Sequence, residues 1–160
     1  MPGELEQSYI LDQHAAAGET AERVAAETLE AMFFTEAEPS ECEHTWLGAA
    51  PSARIRFEGS HTGEMLLAVS TGAVDPIAAS FLGLEAADLT DDQRRQVIQE
   101  LSNILCGAML SRLWPESALA LATPESTAWQ EWTAPGTLHR CFQIPEGMLA
   151  ISIRLTSPGG

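Results

Sequence analysis

The run from Thr90 to Trp114 constrains this chain more than any other segment. Thr90 is an N-cap residue type, Asp91 and Asp92 follow where a helix dipole favours acids, and Pro115 stops what precedes it. Between these signals Val97, Ile98, Leu101, Ile104, Leu105, Ala108 and Met109 recur at three- and four-residue steps. One long amphipathic helix is predicted, with those side chains on its buried face. Such a face needs an apolar layer to lie on, and the flanking segments supply strands rather than a second helix of similar length.

From Gly18 to Phe34, Ala21, Val24, Ala25, Leu29, Met32 and Phe33 repeat at helical spacing, so a first helix is expected to stop before Pro39. Ser52 to Ser70 alternates apolar with polar around Glu58-Gly59-Ser60-His61 and predicts an antiparallel pair. A short helix is predicted over Val74 to Leu82, with Asp75-Pro76 at its start and Gly83 at its end. Ala118 to Ala122, Leu138 to Ile144 and Met148 to Leu155 read as strands, the last two joined by a Pro145-Glu146-Gly147 turn. Pro124 to Gly136 reads as a long loop. The order helix, strand, strand, helix, helix, strand, strand, strand disfavours a parallel doubly wound sheet. An α+β single-domain sandwich is expected, a mainly antiparallel sheet packed with helices, over residues 15–157 after a flexible N-terminus at 1–14.

The 160 residues carry 23 acidic and 8 basic side chains, a formal charge of -15, and all eight bases are arginine. Without lysine there is no P-loop and no pyridoxal Schiff base. The acidic excess disfavours nucleic acid and anionic membrane surfaces, which are bound by neutralising phosphates. No stretch approaches the roughly 20 apolar residues of a membrane span, and the N-terminus lacks a basic start followed by an apolar run. A cytoplasmic location is expected, with Cys42, Cys106 and Cys141 as reduced thiols. Cys42-Glu-His44 and His139-Arg-Cys141 make a four-ligand zinc site conceivable, but the spacing is not the usual one and no resident metal is expected. His14 and His61 read as solvated, and Trp129 and Trp132 as covers for an edge of the core, with a partner anchor as the alternative.

At about 100° per residue, Gln96, Glu100, Asn103 and Gly107 cluster within roughly 60° on the side of the long helix away from its apolar face. A glutamate and an asparagine three apart are neighbours on a helix surface. A glycine one turn further costs about 1 kcal/mol relative to alanine unless something needs the space. An ordinary exposed face with a glycine that lets a strand pack closely is one reading, and a surface for a close-approaching partner is the other.

The run Glu100-Leu-Ser-Asn103-Ile-Leu-Cys-Gly107, followed by Pro124 after a short strand, resembles the signature of the CheC/CheX/FliY family. Met32-Phe33-Phe34-Thr35, the strand Gly63 to Ser70 and the final hairpin extend the resemblance over about residues 18–156. The first helix has Glu27 with Glu30 where a second site would need asparagine, so the chain is more similar to single-site CheX than to two-site CheC. Gln96 is a departure, standing where the family often has Asp or Ser.

The resemblance implies a phosphatase that hydrolyses the aspartyl phosphate of a CheY-like response regulator. It implies Glu100 and Asn103 as the catalytic pair, Asn103 orienting water and Glu100 anchoring the partner through the regulator's lysine. Gln96, Gly107 and Pro124 are implied as supporting, partner-facing positions. No cofactor of its own is implied; Mg2+ comes with the phosphorylated regulator, and a homodimer is possible. The rival is a catalytically silent binding module of the same fold that docks to a signalling protein. A flagellar-switch role similar to FliY has less support, for want of a second domain.

Overall fold

The computed structural model describes residues 19–20, 22–31, 36–41, 44–47, 50–116, 118–129 and 137–156. Helix α1 covers residues 19–20 and 22–31, followed by β1 (Glu38–Ser40), a one-turn helix α2 (His44–Leu47), β2 (Ser52–Gly59) and β3 (Gly63–Val69). Helix α3 (Thr71–Leu82) and a 3-10 turn (Ala86–Asp88) lead into the long helix α4 (Asp91–Leu113). Strands β4 (Leu119–Leu121), β5 (Glu125–Thr127), β6 (Thr137–Ile144) and β7 (Gly147–Leu155) complete the order. His14, Cys42, Trp132, the segment Met32 to Thr35 and the expected tail at 1–14 lie outside the described residues.

The strands form one antiparallel sheet in the order β1-β6-β7-β3-β2-β4, with β5 also paired to β2 beside β4. The expected α+β sandwich is thus the observed one. The two predicted hairpins have the registers Phe57↔Gly63 and Ile144↔Gly147 at their turns. Gly63 is required by packing: a Cβ there would collide with the Arg154 carbonyl oxygen and meet the Phe57 ring at 2.8 Å.

The main core lies between one face of the sheet and the helices. Ile55, Phe57, Met65, Leu67 and Ile153 point up from the strands, and Val24, Leu29, Leu101, Leu105 and Met109 point down from α1 and α4. The opposite face is covered by a smaller cluster of Leu47, Ala50, Ala68, Cys141 and Ala150, against which Trp46 and Trp129 pack. Trp129 therefore covers a core edge, as expected. With apolar residues on both faces, β7 is buried from Leu149 to Ile153 instead of alternating.

Several expectations are corrected. Helix α3 starts at Thr71, not Val74, so Pro76 lies inside it. The Ser70 carbonyl accepts from Ala73 N at 2.9 Å, opening the helix early, while the Ser70 hydroxyl accepts from Met148 N at 3.0 Å. Pro76 withholds the N–H that the Gly72 carbonyl would accept, and Gly72 is exposed, so solvent can replace the bond. Gly83, at φ 67°, ends the helix as expected.

The expected loop from Pro124 contains β5, and β1 and α2 were not foreseen. Cys141 is disulfide-bonded, so three free thiols do not occur and that sulfur is unavailable to a zinc site. His61 is not simply solvated: its ring stacks on Trp114 at a centroid distance of 3.9 Å.

Candidate functional site

Helix α4 is built as its ends require. The Thr90 hydroxyl accepts from Gln93 N at 3.1 Å and the Gln93 Oε1 accepts from Thr90 N at 2.9 Å, a complete capping box. The helix runs 23 residues to Leu113, about 35 Å, and crosses the sheet over β2 and β3 while leaning on α3. At that joint Arg94 Nε donates to Asp75 Oδ1 at 2.7 Å and Nη1 to Asp91 Oδ1 at 2.8 Å. The hydrogen bond that the Asp75 carboxylate accepts raises the Arg94 guanidinium above its ordinary pKa.

The buried residues of α4 are Val97, Ile98, Leu101, Ser102, Leu105, Cys106, Met109 and Leu110. Ile104 and Ala108, expected inside, are only half-buried, and Ser102, Cys106 and Leu110 replace them. The buried face is turned by roughly 60° from the expected arc. The cause is the outer edge of the sheet, where β4 and β5 pack against α4 and cover the flank that carries Cys106 and Leu110.

Opposite that face lies the polar stripe. Gln96 and Glu100 are exposed, and Asn103 and Gly107 are half-buried. Glu100 and Asn103 stand about 4.5 Å apart along the axis, less than one turn. Neither side chain has a hydrogen-bond or ion-pair partner among the described residues. The cations of α4 are committed elsewhere: Arg94 as above, Arg95 to Asp92, and Arg112 to Glu27 on α1. Among the described residues, Glu100 is therefore a carboxylate with no partner and no cation of its own helix drawn to it. Glu27 is engaged with Arg112, which takes it out of any second site on α1.

Gly107 is explained by neither a clash nor a positive φ. A Cβ at that position would find only Leu121 Cδ1, at 3.8 Å, an ordinary contact. Close packing by a neighbouring strand therefore does not require glycine. Pro124 is half-buried between β4 and β5, along the flank of α4. Gln99, which sequence reasoning passed over, donates from Nε2 to Ser126 Oγ at 3.0 Å and ties α4 to β5 immediately before Glu100. Ser126 fell in the expected loop, so nothing in the residue pattern paired it with the helix.

Cys106, next to Gly107, is a free thiol whose burial pushes its pKa up to about 12, which makes it a packing residue and not a nucleophile. Among the described residues no group of three or more His, Cys, Asp or Glu side chains could hold a metal ion. No helix among them is long and apolar enough to cross a membrane. The stripe offers one carboxylate, Glu100, that can accept from a cation and two carboxamides, Gln96 and Asn103, that can each donate and accept at once.

The three-dimensional match is to known chemotaxis proteins. The CheX of Desulfovibrio desulfuricans superposes with a TM-score of 0.70 at 15% identity, covering 88% of this chain and 99% of that one. The CheX of Vibrio vulnificus gives 0.71 at 18% identity, over 89% and 98%. The CheX in the CheX-CheY-BeF3-Mg+2 complex of Borrelia burgdorferi gives 0.66 at 15% identity, over 87% and 97%. No curated protein matches by sequence. At these identities the superpositions establish the fold, and the sequence supplies the rest: residues 51–145, more than half of the chain, match the family model described as Chemotaxis phosphatase CheX. With that span running from β2 through α4 to β6, the chain belongs to the CheX family.

Proposed function

We propose that this protein hydrolyses the aspartyl phosphate of a CheY-like response regulator, with Asn103 orienting the attacking water and Glu100 anchoring the regulator. The observation that carries this reading is the pair itself. Glu100 and Asn103 stand side by side on the open face of the family's long helix, and no residue described here engages either side chain.

An acyl phosphate is already activated, and what it lacks is water held in line with the leaving carboxylate. The Asn103 carboxamide accepts from that water and donates to a phosphoryl oxygen, as a glutamine does in small GTPases. Glu100 accepts from a lysine of the regulator, a cation this lysine-free chain lacks. The Mg2+ belongs to the regulator; the Borrelia burgdorferi relative is seen with CheY, BeF3 and Mg2+. In this reading Gln96 extends the contact stripe, Pro124 shapes the loop beside it and Gly107 leaves room for the partner. A homodimer is part of the same proposal and is tested by sedimentation.

The test is phosphate release from phosphorylated regulators of the same organism. Asn103→Ala should lower turnover at least about 100-fold, as removal of a positioning amide in a preorganised site does. Its thermal midpoint should stay at the wild-type value. Glu100→Ala should raise KM more than it lowers kcat. Turnover by Asn103→Ala equal to wild type would refute the mechanism. Regulator binding without hydrolysis by the wild type would instead assign the chain to the silent binding modules.

A further inference from the structure

Asn103 is the member of the polar stripe that lies nearest the sheet. Projected at about 100° per residue, it stands roughly 20° from buried Leu110 on the β4-β5 flank, while Glu100 stands roughly 80° from it. Asn103 is accordingly half-buried and Glu100 exposed. Gln99, also half-buried, occupies the same flank, about 6 Å before Asn103 along the axis. Two amides at i and i+4 on one helix face are hydrogen-bonding neighbours. Yet no bond joins these two: among the described residues Asn103 has no partner, and Gln99 Nε2 donates to Ser126 Oγ at 3.0 Å.

The register of β5 aims Ser126 at the helix. Ser126 pairs with Ala53, a residue of the main core on the helix side of the sheet. Its neighbour Glu125 pairs with Arg54 on the opposite face and forms an ion pair with it at 3.0 Å. The strand is thus fastened by backbone pairing and by that ion pair without help from Gln99, and one exposed hydrogen bond adds little to it. The larger effect of the bond is on Gln99 itself, a side chain with three rotatable bonds that would otherwise range over the i+4 position. The Ser126 hydroxyl turns the Gln99 amide toward the sheet and leaves the Asn103 carboxamide open.

We infer that Ser126 is a positioning residue: it holds Gln99 away from Asn103 and so keeps the Asn103 oxygen available to the attacking water. The inference rests on the reading of Asn103 as the residue that orients that water. Two acceptors compete for one donor. Gln99 Nε2–H bonds either the Ser126 hydroxyl or Asn103 Oδ1, and Asn103 Oδ1 is the atom that accepts from the water. Gln99 belongs neither to the Glu100-Asn103 pair nor to the contact stripe. It is the side chain that Ser126 restrains, and without the hydroxyl it occludes the Asn103 oxygen for part of the time.

The experiment measures kcat and KM for phosphate release from a phosphorylated regulator of the same organism, together with thermal midpoints. The variants are Ser126→Ala, Ser126→Thr, Gln99→Ala, the double variant Ser126→Ala with Gln99→Ala, and Asn103→Ala. Ser126→Ala should lower kcat about two- to threefold, the occlusion expected of an amide pair at i and i+4, with KM and thermal midpoint at their wild-type values. Ser126→Thr retains the hydroxyl and should keep the wild-type kcat. Gln99→Ala, alone or added to Ser126→Ala, should also turn over at the wild-type rate, because no amide remains to cover Asn103. A bond that merely stapled β5 to α4 would behave otherwise, since losing either half would cost the same and neither loss would repair the other.

A wild-type kcat in Ser126→Ala, or a loss that Gln99→Ala does not restore, would overturn the inference and leave the phosphatase reading standing. Wild-type turnover by Asn103→Ala would instead overturn that reading, and the inference with it.

Discussion

Adjacent residues on α4 face opposite problems. Asn103 is half-buried on the outer side of the helix, whereas Ser102, one position earlier, is fully buried with a hydroxyl that finds no partner among the described residues. An unsatisfied buried hydroxyl costs about 1–3 kcal/mol. Ser102→Ala should therefore raise unfolding free energy by about 1 kcal/mol in urea titrations. A destabilised variant would show that the hydroxyl is satisfied in solution. Cys106 carries a pH signature. Its folded pKa of about 12 lies above the usual 9.0, so the folded state keeps a proton that the unfolded state releases. The thiol's contribution is complete below pH 9 and is lost as pH rises from 9 toward 12, by up to about 1.4 kcal/mol per unit. Cys106→Ala should flatten that alkaline loss, and an unchanged slope would assign it to other groups. The free state of Glu100, by contrast, was legible only in part. Its place on the polar face follows from spacing, and Arg95 pairs locally with Asp92, but that Arg94 and Arg112 are drawn to Asp75 and Glu27 depends on α3 and α1, which no local pattern reveals.

At the scale of elements, legibility followed signal strength. Helix α4 was readable end to end because its cap, acidic first turn and stopping proline all agree with its periodicity. The β2-β3 and β6-β7 hairpins were readable because each runs into a turn with glycine at its end, Gly59 or Gly147. Strands β1 and β5, three residues each, were not, since they owe their strand character to pairing with β6 and β2 and not to their own composition. Missing β5 had a consequence for the site. Without it the covered flank of α4 was placed too near Ile104 and too far from Cys106, although the stripe opposite remained correctly outside. The start of α3 was misread because a proline is tolerated inside a helix where its lost bond falls to an exposed glycine. A prediction about the cap follows. Thr90→Ala removes one half of the capping box and should cost about 1 kcal/mol of stability in denaturant titrations. The Glu100-Asn103 pair lies beyond the second turn, so turnover by the folded fraction should stay at the wild-type rate. A fall in turnover larger than the fall in folded population would mean that the first turn sets the register of the site.

For the molecule as a whole, the balance of charge decides the response to salt. Among the described residues, seven arginines are engaged in ion pairs. With 23 acids against 8 bases, however, one-to-one pairing would still leave 15 carboxylates over. The pairs are mostly exposed, and an exposed pair contributes only about 0–1 kcal/mol. Salt weakens both the pairs and the repulsion among the surplus carboxylates. At -15 the repulsion outweighs the pairs, so screening should stabilise the fold. Raising sodium chloride from about 10 mM to about 500 mM, which takes the Debye length from about 30 Å to under 8 Å, should raise the thermal midpoint by several degrees. Lowering the pH from 7 toward the sequence pI of about 4.4 should shrink this salt effect, because protonation removes the same repulsion. Calorimetric scans on a grid of salt and pH would check both trends. A midpoint that falls with salt at pH 7 would show that the ion pairs, above all Arg94 with Asp75 between α3 and α4, outweigh the surplus charge.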